Sequence, residues 1–377
     1  MIINQHLRVK DQPWKNIGDQ KSLSNPLVLT FGNRYLLESP TIFAEVNAMY
    51  PDAHIVFGST SGDIMDDNVN DDSVSITAIE LEKSSFAIKT ANILNEQKDS
   101  FKTGKHLIEQ FDATGLKHVF IISEGSFING TQLTLGMNSV YGDDLLITGG
   151  LCADDARFEK TICGYNCNPK PGEIVAIGFY GDSFEATFSI HGGWIPFGPE
   201  RIVTKSKGNI LYELDGMPAL DLYKKYLGDK SKELPGAALL YPLNVRIEDQ
   251  NQSIVRSILA IEEDDNAMVL AGDIPENSKV QLMMTNVDQI ANAAERAARQ
   301  ADDIRENSSQ LALLVSCIGR KLVLDQRVEE EIEEVRNVLG DDVVISGFYS
   351  YGEIAPFHEE MKCQLHNQTM TITLLSE

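Results

Sequence analysis

The chain writes one short pattern three times, and that pattern restricts it to layered strand-and-helix architectures. An apolar strand is followed by a polar loop, a helix, and a second strand running into glycine and acid. The first copy runs from Leu27-Val28-Leu29-Thr30 through a helical stretch from Thr41 to Met49 to Ile55-Val56-Phe57-Gly58-Ser59-Thr60-Ser61-Gly62-Asp63. The second starts at Phe120-Ile121-Ile122-Ser123 and closes with Gly142-Asp143-Asp144-Leu145-Leu146-Ile147-Thr148-Gly149-Gly150. The third starts at Leu313-Leu314-Val315-Ser316 and closes with Gly340-Asp341-Asp342-Val343-Val344-Ile345-Ser346-Gly347. The last two closures align residue for residue, and the elements before them come in the same order. That is an internal duplication. Strands alternating with helices at this spacing predict an α/β fold of mixed α+β character, with two related layered domains. Duplicated strand-glycine edges then face a shared cleft, because open sheets present ligand sites outside the carboxyl ends of their strands.

With 377 residues the chain is long enough for two or three domains, each burying its own core. The net charge is −24, with acids scattered throughout, and this argues against DNA, RNA or anionic membrane as partners. No stretch reaches the roughly 18 uninterrupted apolar residues of a membrane span, and Met1 to Lys10 lacks a secretory apolar core. Five cysteines, an odd number in a long chain, fit a reducing compartment rather than a disulfide framework. The expected location is the cytoplasm.

Residues 1–25 are polar and read as a loose lead-in, followed by a first domain over 26–228 and a second over 237–377. The boundary falls at Asp229 to Gly236, which is charged and contains Pro-Gly; a hinge is expected there. In the first domain Val74 to Leu81, Ser85 to Ile93 and Ile174 to Phe179 read as strands. His191 to Gly198 (HGGWIPFG) reads as a rigid loop. Asn209 to Leu227 reads as strand, turn and helix, capped near Gly228. Ala237 to Leu243, Ser253 to Ile261, Ala267 to Ala271 and Val280 to Met284 form an expected antiparallel set. Val287 to Ile304 is a strong Ala-rich helix, Val328 to Leu339 another, and Thr369 to Leu375 a terminal strand.

Several familiar signatures are absent: no GxxxxGK[ST], GxGxxG after a strand, HExxH or GxSxG. Cys163 and Cys167 have a zinc-compatible spacing, but a structural site needs two more ligands and only Cys152 and His191 are nearby. They read as unrelated thiols, and no metal site is expected. The chemistry concentrates in three segments at strand ends: Ser316-Cys317-Ile318-Gly319-Arg320, Gly347 to Ile354 (GFYSYGEI), and Leu365-His366-Asn367-Gln368-Thr369. Arg320 and Glu353 have two readings. They form a buried salt bridge, or they bind the two charged ends of a small zwitterion, with Arg320 forking its carboxylate.

The order SCIGR, GFYSYGEI, LHNQT, preceded by VLAGDIP at Val269 to Pro275, resembles the C-terminal half of the FIST sensory domain. IVFGSTSGDI (Ile55 to Ile64), the run from Gly149 to Asp155, and GEIVAIGFYG (Gly172 to Gly181) resemble its N-terminal half. The resemblance covers about Leu27 to Leu375. It implies an intracellular input module of bacterial signalling that binds small molecules such as amino acids. Many FIST proteins are fused to kinase, cyclase or methyl-accepting output domains. This sequence stops at Glu377, so a separate partner such as a histidine kinase or diguanylate cyclase, as in a two-component system, is expected to receive the signal. A stand-alone subgroup is described as haem-dependent nitric oxide sensors, which implies haem as an alternative cofactor.

The leading expectation is therefore a non-enzymatic sensor that holds a small polar ligand in an interdomain cleft. Its contacts are Cys317, Arg320, Tyr351, Glu353 and Asn367 from one half, with Cys152, Asp154 and Asp155 from the other. The alternative is a haem sensor with His191 or His366 on the iron, Trp194 and Phe197 giving an apolar wall. The third reading makes Cys317 a nucleophile whose thiol is acidified by Arg320. No histidine stands at a recognisable partner position for it, so no catalytic residue is expected.

Overall fold

The structure is a computed structural model that describes residues 1–247, 253–357 and 361–377. Among these residues there are four sheets, and three of them share one plan. Each of the three is centred on two parallel strands joined by a helical crossover. The pairs are Leu27–Gly32 with His54–Ser59, Leu116–Ser123 with Leu146–Leu151, and Leu311–Cys317 with Val344–Ser350. These are the three sequence copies, so the first is the structural equal of the other two. The strands are apolar throughout because both faces are covered. Leu29, Phe31, Phe120, Ile122, Leu313 and Val315 point inward to one core shared by all three units. The alternate residues Val28, Ile121 and Leu314 pack against each unit's own outer layer.

The units are interlocked by strand exchange. After its second parallel strand each unit sends the chain into a neighbour's sheet. Asp63–Met65 pairs with Val344–Ser350, Cys163–Tyr165 with His54–Ser59, and Gly352–Pro356 with Leu146–Leu151, all antiparallel. The outer edges cross over in the opposite cyclic sense, from the first unit to the second and from the second to the third. Ser73–Glu80 belongs to the first sheet, and the next strand, Ser85–Asn92, joins the second beside Glu173–Tyr180. Glu185–His191 then joins the third beside Met370–Ser376, while Ile2–Val9 lies along Ser73–Glu80. The ends of the chain close the ring: the Met1 ammonium is 3.2 Å from the Glu377 carboxylate, which also accepts the backbone N–H groups of Lys83 and Ser84.

Two sets of hydrogen bonds make the threefold relation explicit. One ring links the strand ends: Ala153 N–H to Ser59 O (2.8 Å), Ser61 N–H to Tyr349 O (2.9 Å), and Tyr351 N–H to Leu151 O (3.2 Å). The second joins Asn33 N–H to Ser73 O, Glu124 N–H to Glu173 O, and Cys317 N–H to Thr369 O, at 2.9, 3.0 and 3.0 Å. The aligned glycines Gly149 and Gly347 have an equally physical cause. A Cβ at either would stand 2.0 Å from a carbonyl oxygen of the parallel neighbour, Ile121 O or Leu314 O. Gly347→Ala is expected to cost about 1–3 kcal/mol or more, since the obstruction is backbone and cannot swing aside; chemical denaturation measures it.

Four expectations change. Residues 2–9 are not a loose lead-in but an eight-residue strand. Its middle is polar because Gln5 donates to Thr77 Oγ1 and Ile345 O, inside the structure, which removes the apolar alternation that marks a strand. Segment 195–198 of the expected HGGWIPFG loop opens the long strand Ile195–Lys207, and the start of the expected strand Ala237 to Leu243 lies in the 3-10 helix Gly236–Leu240. The fourth change concerns the boundary. The fourth sheet, with its own core of Val203, Leu211, Leu220, Tyr223, Val245 and Met268, is inserted in the third unit between Glu185–His191 and the helix Val287–Asp303. Their counterparts in the second unit, Ser85–Asn92 and Ser100–Glu109, follow one another with only a short connection. Asp229 to Gly236 lies inside that insertion, so a hinge there leaves the three interlocked sheets as they are.

Candidate ligand site

The bonds from Ala153 to Ser59, Ser61 to Tyr349 and Tyr351 to Leu151 join the ends of the second parallel strands of the three units at one end of the ring; Gly347-Phe348 and Gly149-Gly150 lie within those strands. A hollow of about 460 Å³ lies at this end, where all three units meet. The first unit contributes Ser61, Asp71 and Asp72, the second Asp155 and Arg157, and the third Ile318, Lys321 and Leu322. Helix Ile318–Leu324 starts as the Leu311–Cys317 strand stops, which projects Lys321 from its first turn. The Lys321 ammonium donates to Ser61 O (2.7 Å) and to the Asp71 carboxylate, and lies 5.5 Å from the centre of the Tyr349 ring. It crosses Gly62, whose φ is +126°; a Cβ there would stand 2.6 Å from Lys321 Nζ. Arg157 pairs with Asp155 at 2.5 Å and donates to Asp154 O at 3.1 Å. Burial pushes the Asp155 carboxyl above its usual range, and Arg157 and Lys321 oppose that push. Asp155 and Phe158 both adopt left-handed backbone, at φ +60° and +54°, so this loop is held against its local preference.

Of the residues expected to bind ligand, only Asp155 lines the hollow. Tyr351 and Asp154 form the knot behind it. The Tyr351 hydroxyl donates to the Asp154 carboxylate, accepts Phe158 N–H (3.0 Å), and its ring stacks on Phe158 at 4.4 Å. Asp154 also faces Arg34 at 3.3 Å. Cys152 is in the shared core. Cys317, Glu353 and Asn367 do come together, but in the interior. Burial pushes the Cys317 thiol well up, with the Glu353 charge adding to it, which is the opposite of an acidified nucleophile. Both polar atoms of the Asn367 amide are buried without a hydrogen-bond partner among the described residues.

Arg320 requires a correction. It neither pairs with Glu353 nor reaches the hollow. Its guanidinium is fully buried and forks onto Glu331, with Nε–Oε2 at 2.9 Å and Nη2–Oε2 at 2.6 Å. The remaining donors go to Ile290 O (3.0 Å) and Gly192 O, tying the helix to the HGGW segment. Glu331 completes its set with Ser316 and Tyr349. The sequence did carry a signal: Glu331 adjoins Ile332 and lies one turn before Val335, on the buried stripe of its helix.

Glu353 has a counterpart. Its carboxylate accepts from Ser350 Oγ (2.6 Å) and from the N–H and hydroxyl of Thr369 (3.1 and 2.7 Å). Asp63 does the same with Thr60 (2.7 Å) and Ser73 (2.6 Å), the matching positions of the first unit. Burial raises each carboxyl to about 7, the hydroxyl bonds opposing it. An acid raised on folding binds more protons in the native than in the unfolded state between its two pKa values. Its contribution therefore falls as pH rises from about 4.5 to about 7 and is flat above. Glu353→Gln is expected to be more stable than the parent at pH 8 by an amount of order 2 kcal/mol, the difference vanishing near pH 4. Urea titrations across that range check it.

His191 and His366 line one pocket of about 260 Å³ with Trp194, Met283 and Phe357. Each already uses Nε2: His191 with Gln300 Oε1 (2.8 Å), His366 with Ala355 O (2.9 Å). The space among the described residues is a little below the roughly 300–1,000 Å³ of ordinary ligand sites.

Two family models match the chain, the FIST N domain over residues 26–217 and the FIST C domain over 219–356. The chain belongs to the FIST family. FIST domains are small-ligand sensor domains. An uncharacterized protein of Methanocaldococcus jannaschii is 27% identical over 217 residues, which is 52% of this FIST chain and 40% of that protein's length. This chain thus spans well under two thirds of that relative. A solved cyanuric acid hydrolase from A. caulinodans aligns over 93% of this chain and 89% of its own, with 7% identity and a TM-score of 0.36. Among the described residues no helix is long and apolar enough to cross a membrane, and no cluster of His, Cys, Asp and Glu is placed to hold a metal ion.

Proposed function

We propose that this FIST protein is a cytoplasmic sensor that binds a small polar ligand with an ammonium and a carboxylate in the three-unit hollow. Its occupancy passes to a separate signalling protein, such as a histidine kinase or diguanylate cyclase. The observation that carries the reading is the mixed charge of the hollow: Lys321 and Arg157 stand opposite Asp71, Asp72 and Asp155. An ammonium has three donors, and Ser61 O and Asp71 take two from Lys321, which leaves one for a ligand carboxylate. The two halves matched by the family models both contribute, so a ligand there ties them together. A ligand signals only by binding two states unequally. The strained 154–158 loop, with Phe158 held over Tyr351, is the element such a difference would move.

A metabolite screen by thermal shift, followed by calorimetry on Lys321→Ala, tests the site. The variant should fold normally and bind the hit at least about tenfold more weakly, the loss of one charge-assisted hydrogen bond. Unchanged affinity would move the ligand elsewhere. Metabolite turnover with no partner responding to ligand would replace the sensor reading with an enzyme. Purified protein should show no Soret band.

A further inference from the structure

We infer, building on that reading, that the hollow selects an amino acid with a second, cationic end: the ligand class is a basic amino acid, not a neutral or acidic one. The argument is one of charge matching. Among the described residues the two cations of the hollow are each matched internally, Lys321 by Asp71 and Arg157 by Asp155. Two carboxylates are left over. Asp72 takes an amide hydrogen of Asn33 at 3.1 Å instead of a cation. Asp325, exposed at the C-cap of the Ile318–Leu324 helix one turn on from Lys321, also lines the hollow and has no cation among the described residues. The same lining includes the aliphatic side chains of Ile318, Leu322 and Val328. A guest with one carboxylate for Lys321, one ammonium for Asp71 and Asp72, an aliphatic stem and a terminal cation at Asp325 satisfies every group. An acidic guest places its second carboxylate against Asp325, a like charge.

L-lysine, L-norleucine and L-glutamate share an α-amino acid head and an aliphatic stem but end in a cation, a methyl group and an anion. Calorimetry of the intact protein with each, at one ionic strength, is the test. L-lysine should bind at least about tenfold tighter than L-norleucine, and L-glutamate weakest of the three. Asp325→Asn, at an exposed helix end, should reduce that lysine preference while leaving L-norleucine affinity unchanged. L-glutamate or L-norleucine binding as tightly as L-lysine overturns the inference and leaves the amino-acid site standing. If none of the three binds, the inference also falls; the broader site then stands or falls on the screen and Lys321→Ala. Equal loss for all three ligands in Asp325→Asn assigns that residue to the shape of the hollow and refutes its role in selection.

Discussion

Replacing Arg320 by alanine is expected to cost about 3–5 kcal/mol of folding stability, the effect of removing one partner from a fully buried ion pair. The variant would leave the Glu331 carboxylate in the core with only the Ser316 and Tyr349 hydroxyls. It would also strip donors from Ile290 O and Gly192 O, which hold the Val287–Asp303 helix and the HGGW segment against the third unit. Urea or thermal unfolding reads this out directly. A paired replacement, Arg320→Met with Glu331→Leu, separates the pair's own worth from the penalty of orphaning one charge. It should recover most of the loss, because apolar residues of similar volume often replace buried ion pairs at little cost. If Arg320→Ala kept its stability and lost only ligand affinity, the arginine would be a carboxylate fork after all. The buried geometry, with donors committed to protein acceptors, argues for the first outcome.

Arg320 also marks where the sequence stopped being legible. Its position at a strand end was plain, but its partner was sought on the neighbouring strand, at Glu353, and is supplied instead by a helix packed on the outer face. Strands whose two faces are both covered announce themselves as unbroken apolar runs, so Leu27 to Thr30, Phe120 to Ser123 and Leu313 to Ser316 were readable. Helices with strong local signals were too: Val287–Asp303 begins at its N-cap Asn286, whose side chain accepts Gln289 N–H, and Ala219–Leu227 ends at Gly228 with φ +57°. Strand exchange has no such signature. Nothing in Gly352-Glu353-Ile354 says that it pairs with Gly149 to Leu151 rather than with its own unit. Lys321 and Asp71 were missed for the same reason, since a lysine beside an arginine and a pair of loop aspartates are ordinary surface residues until the ring brings them together. Asp155, four residues past the Leu146–Leu151 strand in the run that carries the FIST resemblance, was the one expected contact that lines the hollow.

The exchange predicts that neither half of the chain folds alone, although separate family models describe them. Residues 1–218 on their own would leave the Asp63–Met65 strand without Val344–Ser350 and the Glu185–His191 strand without Met370–Ser376. They would also expose the shared core where Leu311, Leu313, Val315 and Phe348 pack against Phe31 and Ile122. Three or four side chains of that size, at roughly 1.5–3 kcal/mol each on burial, amount to most of the net stability of an ordinary domain. Residues 219–377 would lack Leu146–Leu151 beside Gly352–Pro356 and the Glu185–His191 edge strand. Expressed singly, each fragment should show no cooperative melt. Mixed or co-expressed, the two should recover one transition, because the break falls in the inserted fourth sheet and severs no strand of the ring. A sharp melt of residues 1–218 alone would show that the first two units close without the third. Ligand binding should follow the same rule, since Lys321 comes from one fragment and Asp71, Asp155 and Arg157 from the other. The hollow is lined from both fragments, so ring closure is expected to be a condition for ligand binding there as well as for stability.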